Sequence, residues 1–146
     1  MLTRRLALLS SIFAILPLRA SFAASAPTVI YRNPGCGCCH EWTEIMKKAG
    51  FSLTLEDTDD LAGKLGAMGI PADVQGCHGG MFDDYAISGH VPLEDVKRLL
   101  AEKPDAIGIT IPGMPAGAPG MGGSGDSFVT LLVKRDGSTE EFARHG

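Results

Sequence analysis

The sequence has no basic cluster. Its 17 aspartates and glutamates outnumber its 13 lysines and arginines, for a net charge of −4 at pH 7. Nucleic acid is gripped through clustered Lys and Arg, so the missing patch argues against that partner. Past residue 24 there is no apolar run of the roughly 20 residues that span a bilayer, so no membrane partner is expected once the leader described below is removed. There is no internal repeat and no break in composition that would mark a second domain. The acidic run Asp57 to Asp60 reads as a source of helix N-caps rather than as a hard-cation site.

What is present begins with an export signal. Arg4-Arg5 precedes an almost wholly apolar stretch, Leu6 to Leu16, then Pro17 and small-residue cleavage sites at Ser21-Phe22-Ala23 or Ala24-Ser25-Ala26. That pattern is a secretory signal peptide. Residues 1–24 are expected to be the leader and residues 25–146 a single domain. Thr3-Arg4-Arg5-Leu6 fits twin-arginine export as well, although paired basic residues are common in any leader. Cleavage removes three arginines and no acidic residue, which takes the net charge from −4 to −7.

The mature chain is organised around Pro34-Gly35-Cys36-Gly37-Cys38-Cys39-His40. An apolar run, Val29-Ile30-Tyr31, precedes it. After it, Trp42, Ile45, Met46 and Ala49 recur at the spacing of one buried helix face, with Thr43 among the residues of the other face. The thiols therefore sit at a strand-to-helix junction. Unpaired N–H groups and the positive end of the helix dipole favour thiolate there.

Phe51, Leu53 and Leu55 alternate as a strand, and Leu61, Leu65 and Met68 follow helical spacing. Gln75 to Ile87 reads as a hairpin or a pair of short strands with Cys77 at its entrance. Leu93, Val96, Leu99 and Leu100 make a helix face, with Pro92 suited to its first turn. Ile107, Ile109 and Ile111 alternate as a strand. Pro112 to Asp126 is a long Gly/Pro loop carrying Met114 and Met121, and loops of that length are mobile or functional. Phe128 to Val133 is a strand, and Glu140 to Phe142 a short edge. The order β-α-β-α-β-β-α-β-β predicts an α/β fold. A strand leading into a cysteine motif that opens a helix makes the expected form thioredoxin-like, a mixed central sheet flanked by helices.

Three uses of the cysteines compete. Four cysteines in an exported chain suggest disulfides, and one unstrained plan is Cys36–Cys39 with Cys38–Cys77. The CxxC formed by Cys36 and Cys39 suits a thiol–disulfide oxidoreductase, with Cys36 the nucleophile and Cys39 the resolving thiol. That leaves Cys38 and Cys77 unexplained. Metal binding uses all four. Adjacent cysteines cannot easily share one tetrahedral zinc, but thiolates can bridge neighbouring ions, and soft sulfur suits Cu(I) best. Cu(I), as one ion or several, is the favoured cargo. His78 beside Cys77 is a candidate ligand or a nearby cation stabilising thiolate, evenly matched against having neither role. His40 reads as a solvent-facing helix residue, His90 as a partner for a backbone carbonyl, and His145 as idle at a frayed terminus. Met114 and Met121 can cover Cu(I) as thioethers or anchor the loop to an apolar surface. Trp42 reads as core.

These pieces resemble the CopG-like family of exported copper-resistance proteins. The resemblance rests on Tyr31-Arg32-Asn33-Pro34-Gly35-Cys36-Gly37-Cys38-Cys39 with Trp42, on Cys77-His78, on Gly89-His90-Val91-Pro92 and on Pro112 to Met121. It implies a thioredoxin-like fold, a periplasmic location and copper bound by Cys36, Cys38, Cys39 and Cys77, with His78, Met114 and Met121 also implicated. It implies a part in copper detoxification, with Cu(I)/Cu(II) interconversion and other periplasmic copper-handling proteins as partners. The chain departs from the family pattern at Gly76 and Gly79-Gly80, where Ser and Thr-Ala are usual, and at Ala118, where Ser is usual.

Overall fold

The computed structural model describes residues 27–146, so the expected leader lies outside the described residues. Ten elements follow in the order β1 (Thr28–Arg32), α1 (Gly37–Lys48), β2 (Leu53–Asp57), α2 (Leu61–Ala67), β3 (His78–Phe82), β4 (Tyr85–Ser88), α3 (Leu93–Glu102), β5 (Ala106–Thr110), β6 (Phe128–Lys134) and β7 (Thr139–His145), with a 3-10 turn at Ala72–Val74 before β3. The fold is mixed α/β, as expected, with one more strand than the predicted order contained.

All seven strands share one sheet, in the order β2-β1-β3-β4-β5-β6-β7. β1 runs parallel to β2 and β4 parallel to β5, while the other neighbours are antiparallel. The two parallel pairs are those whose chain crosses over through a helix, α1 or α3, as a parallel connection requires. Strand alternation then sends side chains to two faces. Ile30, Ile87, Ile109 and Leu132 pack with Trp42 and Met46 of α1 and Val96 and Leu99 of α3. Tyr31, Ala86, Leu131 and Val133 pack with Leu61 and Leu65 of α2.

Several local expectations are corrected. Thr43 is fully buried rather than outward-facing, and its hydroxyl donates to the Cys39 carbonyl at 2.9 Å. That bond satisfies the hydroxyl inside the helix and lets a polar residue join the buried face. β2 starts at Leu53, two residues later than Phe51. Ile107 and Ile109 lie in different clusters although two apart. The register shift between Ala106 and Gly108 against β6 breaks the alternation. Pro92 stands at the N-cap of α3 instead of inside its first turn. β7 is a full seven-residue strand ending at His145. Asp60 alone of the acidic run caps α2, accepting from the Gly63 amide at 3.0 Å.

The sheet's outermost strand on one side, β7, exposes Thr139, Glu140, Glu141 and Arg144. No helix among the described residues is long and apolar enough to cross a membrane.

Candidate metal centre

The cysteine motif lies where the pattern placed it, between β1 and α1. Cys36 occupies the N-cap of α1 without a side-chain cap bond, and Cys38 and Cys39 fall in the first turn, which holds no acidic residue. Arg32 at the end of β1 fixes the turn. Its Nη1 donates to the Cys36 carbonyl at 2.8 Å while its Nε bridges to Asp57 at 2.7 Å. Gly35, with φ of +75°, supplies a backbone conformation that side-chain-bearing residues rarely adopt.

Cys77 arrives from 38 residues away on the segment that enters β3. Here the buried polar residues do the positioning. The Ser88 hydroxyl accepts from the Gly76 amide at 2.9 Å, and the Thr110 hydroxyl donates to the Val74 carbonyl at 2.7 Å. Gly76 lies against the backbone of Gly89, where a Cβ would collide. Gly79 and Gly80 are buried, and a Cβ on either would strike backbone of the flanking strand. They hold the segment tightly against its neighbours.

The four cysteine sulfurs all lie within 4.8 Å of one another. Cys36 and Cys39 are joined in a disulfide, and Cys38 and Cys77 are free thiols. The first half of the sequence's unstrained pairing plan is therefore present, and Cys38–Cys77 is not bonded. Each disulfide sulfur touches a free thiol: Cys38 Sγ is 3.5 Å from Cys36 Sγ, and Cys77 Sγ is 3.6 Å from Cys39 Sγ. Burial, then the neighbouring Cys38 sulfur, pushes the Cys77 thiol up to about 12. Unlike the motif cysteines, Cys77 lacks a helix start.

Two imidazoles complete the cluster. His78 is fully buried, its Nδ1 3.4 Å from Cys77 Sγ and its Nε2 without a hydrogen-bond partner among the described residues. Desolvation, then the charge of His90, pulls it down to about 3. Trp42 is core as expected, and its indole donates to the Val91 carbonyl at 2.8 Å. It also packs on the His78 ring at 4.5 Å. His90 does bond a carbonyl, that of Pro119 at 2.7 Å, but its Nε2 lies 3.1 Å from Cys77 Sγ. Burial lowers its pKa as well. Cys39, Cys77, His78 and His90 form a second group whose ligand atoms lie within 4.8 Å. Sequence reasoning left His90 out of the ligand set. The signal was there: a hairpin brings its ends together, so the residues after β4 must return beside Cys77-His78.

The Gly/Pro loop reaches the cluster at two points. Gly113 bridges to Gly76, which puts Met114 one residue past a contact with the Cys77 segment. Gly120 sits against the Trp42 amide and the Cys38 carbonyl, with Met121 next in the chain. Met114 is 57% exposed, so it does not anchor the loop to an apolar surface, while Met121 is partly buried. His40 is exposed, as expected. His145 is not idle. It ends β7, its Nε2 lies 2.7 Å from buried Asp95, and its ring stacks on Phe128.

A family model described as a protein of unknown function, DUF411, matches residues 74–121, which run from the Cys77 segment through the loop. Two solved structures share the architecture. One, described as "Copper resistance protein copG- Form 1", is 31% identical with a TM-score of 0.75, over 82% of this chain and 96% of that one. The other, "Copper resistance protein copG- Form 2", is 32% identical with a TM-score of 0.74, over 83% of this chain and 100% of that one. No curated protein matches the chain.

Proposed function

Because the chain belongs to the CopG-like family of copper-resistance proteins, we propose that it binds copper as cargo, in the Cu(I) state, through Cys36, Cys38, Cys39 and Cys77. The observation that carries this reading is the convergence of four sulfurs from two distant segments to within 4.8 Å. Soft thiolates rank Cu(I) above harder ions. Cys38 and Cys39 are adjacent, so the cluster suits two or more bridged ions better than one tetrahedral centre. His78, Met114 and Met121 serve as further donors at its rim.

The oxidised state must be opened first. An external dithiol supplies the two electrons and two protons that convert the Cys36–Cys39 disulfide to thiols, and is itself oxidised to a disulfide. Each thiol then gives up its proton on ligation, at Cys77 against the cost of burial, so uptake strengthens as pH rises. The proposal includes interconversion of Cu(I) and Cu(II) by one-electron exchange with an external redox partner, handover to other copper-handling proteins, and a periplasmic location after cleavage of residues 1–24. The apolar leader sequence supports that location. The order β2-β1-β3-β4, with β1 and β2 parallel and β3 antiparallel to both β1 and β4, supports a thioredoxin-like relationship.

The test is anaerobic Cu(I) loading of the reduced mature chain, desalting and metal analysis. The reading expects two or more copper ions retained per chain and a clear loss in Cys38→Ser and in Cys77→Ser. Retention that survives both substitutions refutes it.

The disulfide itself favours a second reading, a thiol–disulfide oxidoreductase with Cys36 as the more accessible end and Cys39 buried. Insulin reduction that persists in Cys38→Ser and Cys77→Ser but dies in Cys36→Ser would select it.

A further inference from the structure

The two donor groups around the cluster share Cys39 and Cys77 and differ in everything else. One adds two sulfurs, the other two imidazoles. We propose that Cys39, Cys77, His78 and His90 form a second metal subsite, of two sulfurs and two nitrogens, which takes a borderline divalent cation while the four-cysteine set takes Cu(I). This rests on the copper-binding reading and adds a site of different selectivity to it.

Three observations carry the inference. First, His90 is held as a ligand would be. A carbonyl only accepts, so the 2.7 Å contact with Pro119 requires the proton on Nδ1. The lone pair is then on Nε2, which lies 3.1 Å from Cys77 Sγ. An imidazole that donates one N–H to a backbone carbonyl and presents the other nitrogen to a site is the usual second-shell arrangement of metal-bound histidine.

Second, His78 is fully buried with its Nδ1 3.4 Å from Cys77 Sγ, and its other ring nitrogen, Nε2, has no hydrogen-bond partner among the described residues. Burying an imidazole with so few polar partners is costly, and a metal at the nitrogen beside Cys77 would offset part of that cost. Third, the rings are fixed. His78 and His90 meet edge to face at 4.9 Å, and Trp42 holds His78 from the side.

Donor chemistry separates the two sets. Imidazole with thiolate suits the borderline divalent ions of the Zn(II), Co(II) and Cu(II) class, whereas all-thiolate sites favour Cu(I). Two separated cysteines and two histidines can also converge on one tetrahedral centre, which adjacent Cys38 and Cys39 cannot easily do. Cys39 becomes available once its disulfide to Cys36 is reduced.

Co(II) is the probe, because tetrahedral thiolate–imidazole coordination gives it intense visible bands. In the reduced Cys36→Ser/Cys38→Ser chain only the mixed set remains. The expected result is uptake of one Co(II) per chain with those bands, bleached by Zn(II) and lost on adding His90→Gln. A double variant that is folded by circular dichroism yet shows no Co(II) bands overturns the subsite, as do bands that His90→Gln leaves unchanged. Cu(I) retention by the unsubstituted chain is measured alongside. If it persists while the Co(II) bands are absent, the subsite alone fails; if both are absent, the copper reading fails with it. Should the double variant not fold, X-ray absorption of the reduced unsubstituted chain with one equivalent of Zn(II) decides. Imidazole scattering supports the subsite, and an all-sulfur shell overturns it.

Discussion

Gly80 shows how tightly a single residue is constrained near the cluster. A methyl group there would strike the Val29 carbonyl and the Ile30 side chain. Overpacking of this kind costs about 1–3 kcal/mol. Gly80→Ala should therefore lower the urea midpoint of the metal-free protein by a matching amount, and an unchanged midpoint would disprove the contact. His78 makes a prediction in pH. Its pKa falls from 6.5 in the unfolded chain to about 3 in the fold, so the native state binds fewer protons between those values. Stability is then fully present above pH 6.5 and is lost as pH falls toward 3, by about 1.4 kcal/mol for each unit. Denaturant titrations of the metal-free protein at pH 7, 6, 5 and 4 should show that slope, and His78→Gln should flatten it. Single residues were also where the sequence was hardest to read. The cysteines announce themselves by spacing, but His90 and His145 differ from idle histidines only in what folding brings beside them.

Elements were read more easily than their faces. The helices α1, α2 and α3 carry 3.6-residue patterns that packing then used, and the hairpin followed from turn residues between two short apolar runs. The misreadings came from long-range effects. Thr43 could turn inward because the Cys39 carbonyl takes its hydroxyl. β7 is mostly exposed, so no apolar alternation marks it, and it exists because β6 offers it an edge. The Gly/Pro loop is tied to the metal centre by a side-chain bond from His90 to the Pro119 carbonyl. His90→Phe keeps a ring and deletes that donor. Hydrogen exchange should then quicken at the Met121 amide, which bonds Ala118 within the same loop. Equal exchange rates in the two proteins would mean that other contacts hold the loop.

For the molecule as a whole, the disulfide separates a chemical role from a structural one. It closes a loop of only four residues between Cys36 and Cys39, and chain-entropy arguments assign so short a loop about 2 kcal/mol. Reduction should move the melting temperature by a few degrees and leave the far-ultraviolet dichroism intact. Collapse of the fold on reduction would instead make the bridge a structural staple. Thiol titration of the denatured chain should find two reactive groups before reduction and four after, in line with the two free cysteines.

The charged flank of the sheet bears on how the protein behaves in company. β7 turns Glu140, Glu141 and Arg144 toward solvent, and a second copy seeking to lengthen the sheet would have to strip water from those charges. Light scattering at high concentration should accordingly report dispersed particles, and Glu140→Val/Glu141→Val should clump where the parent stays clear.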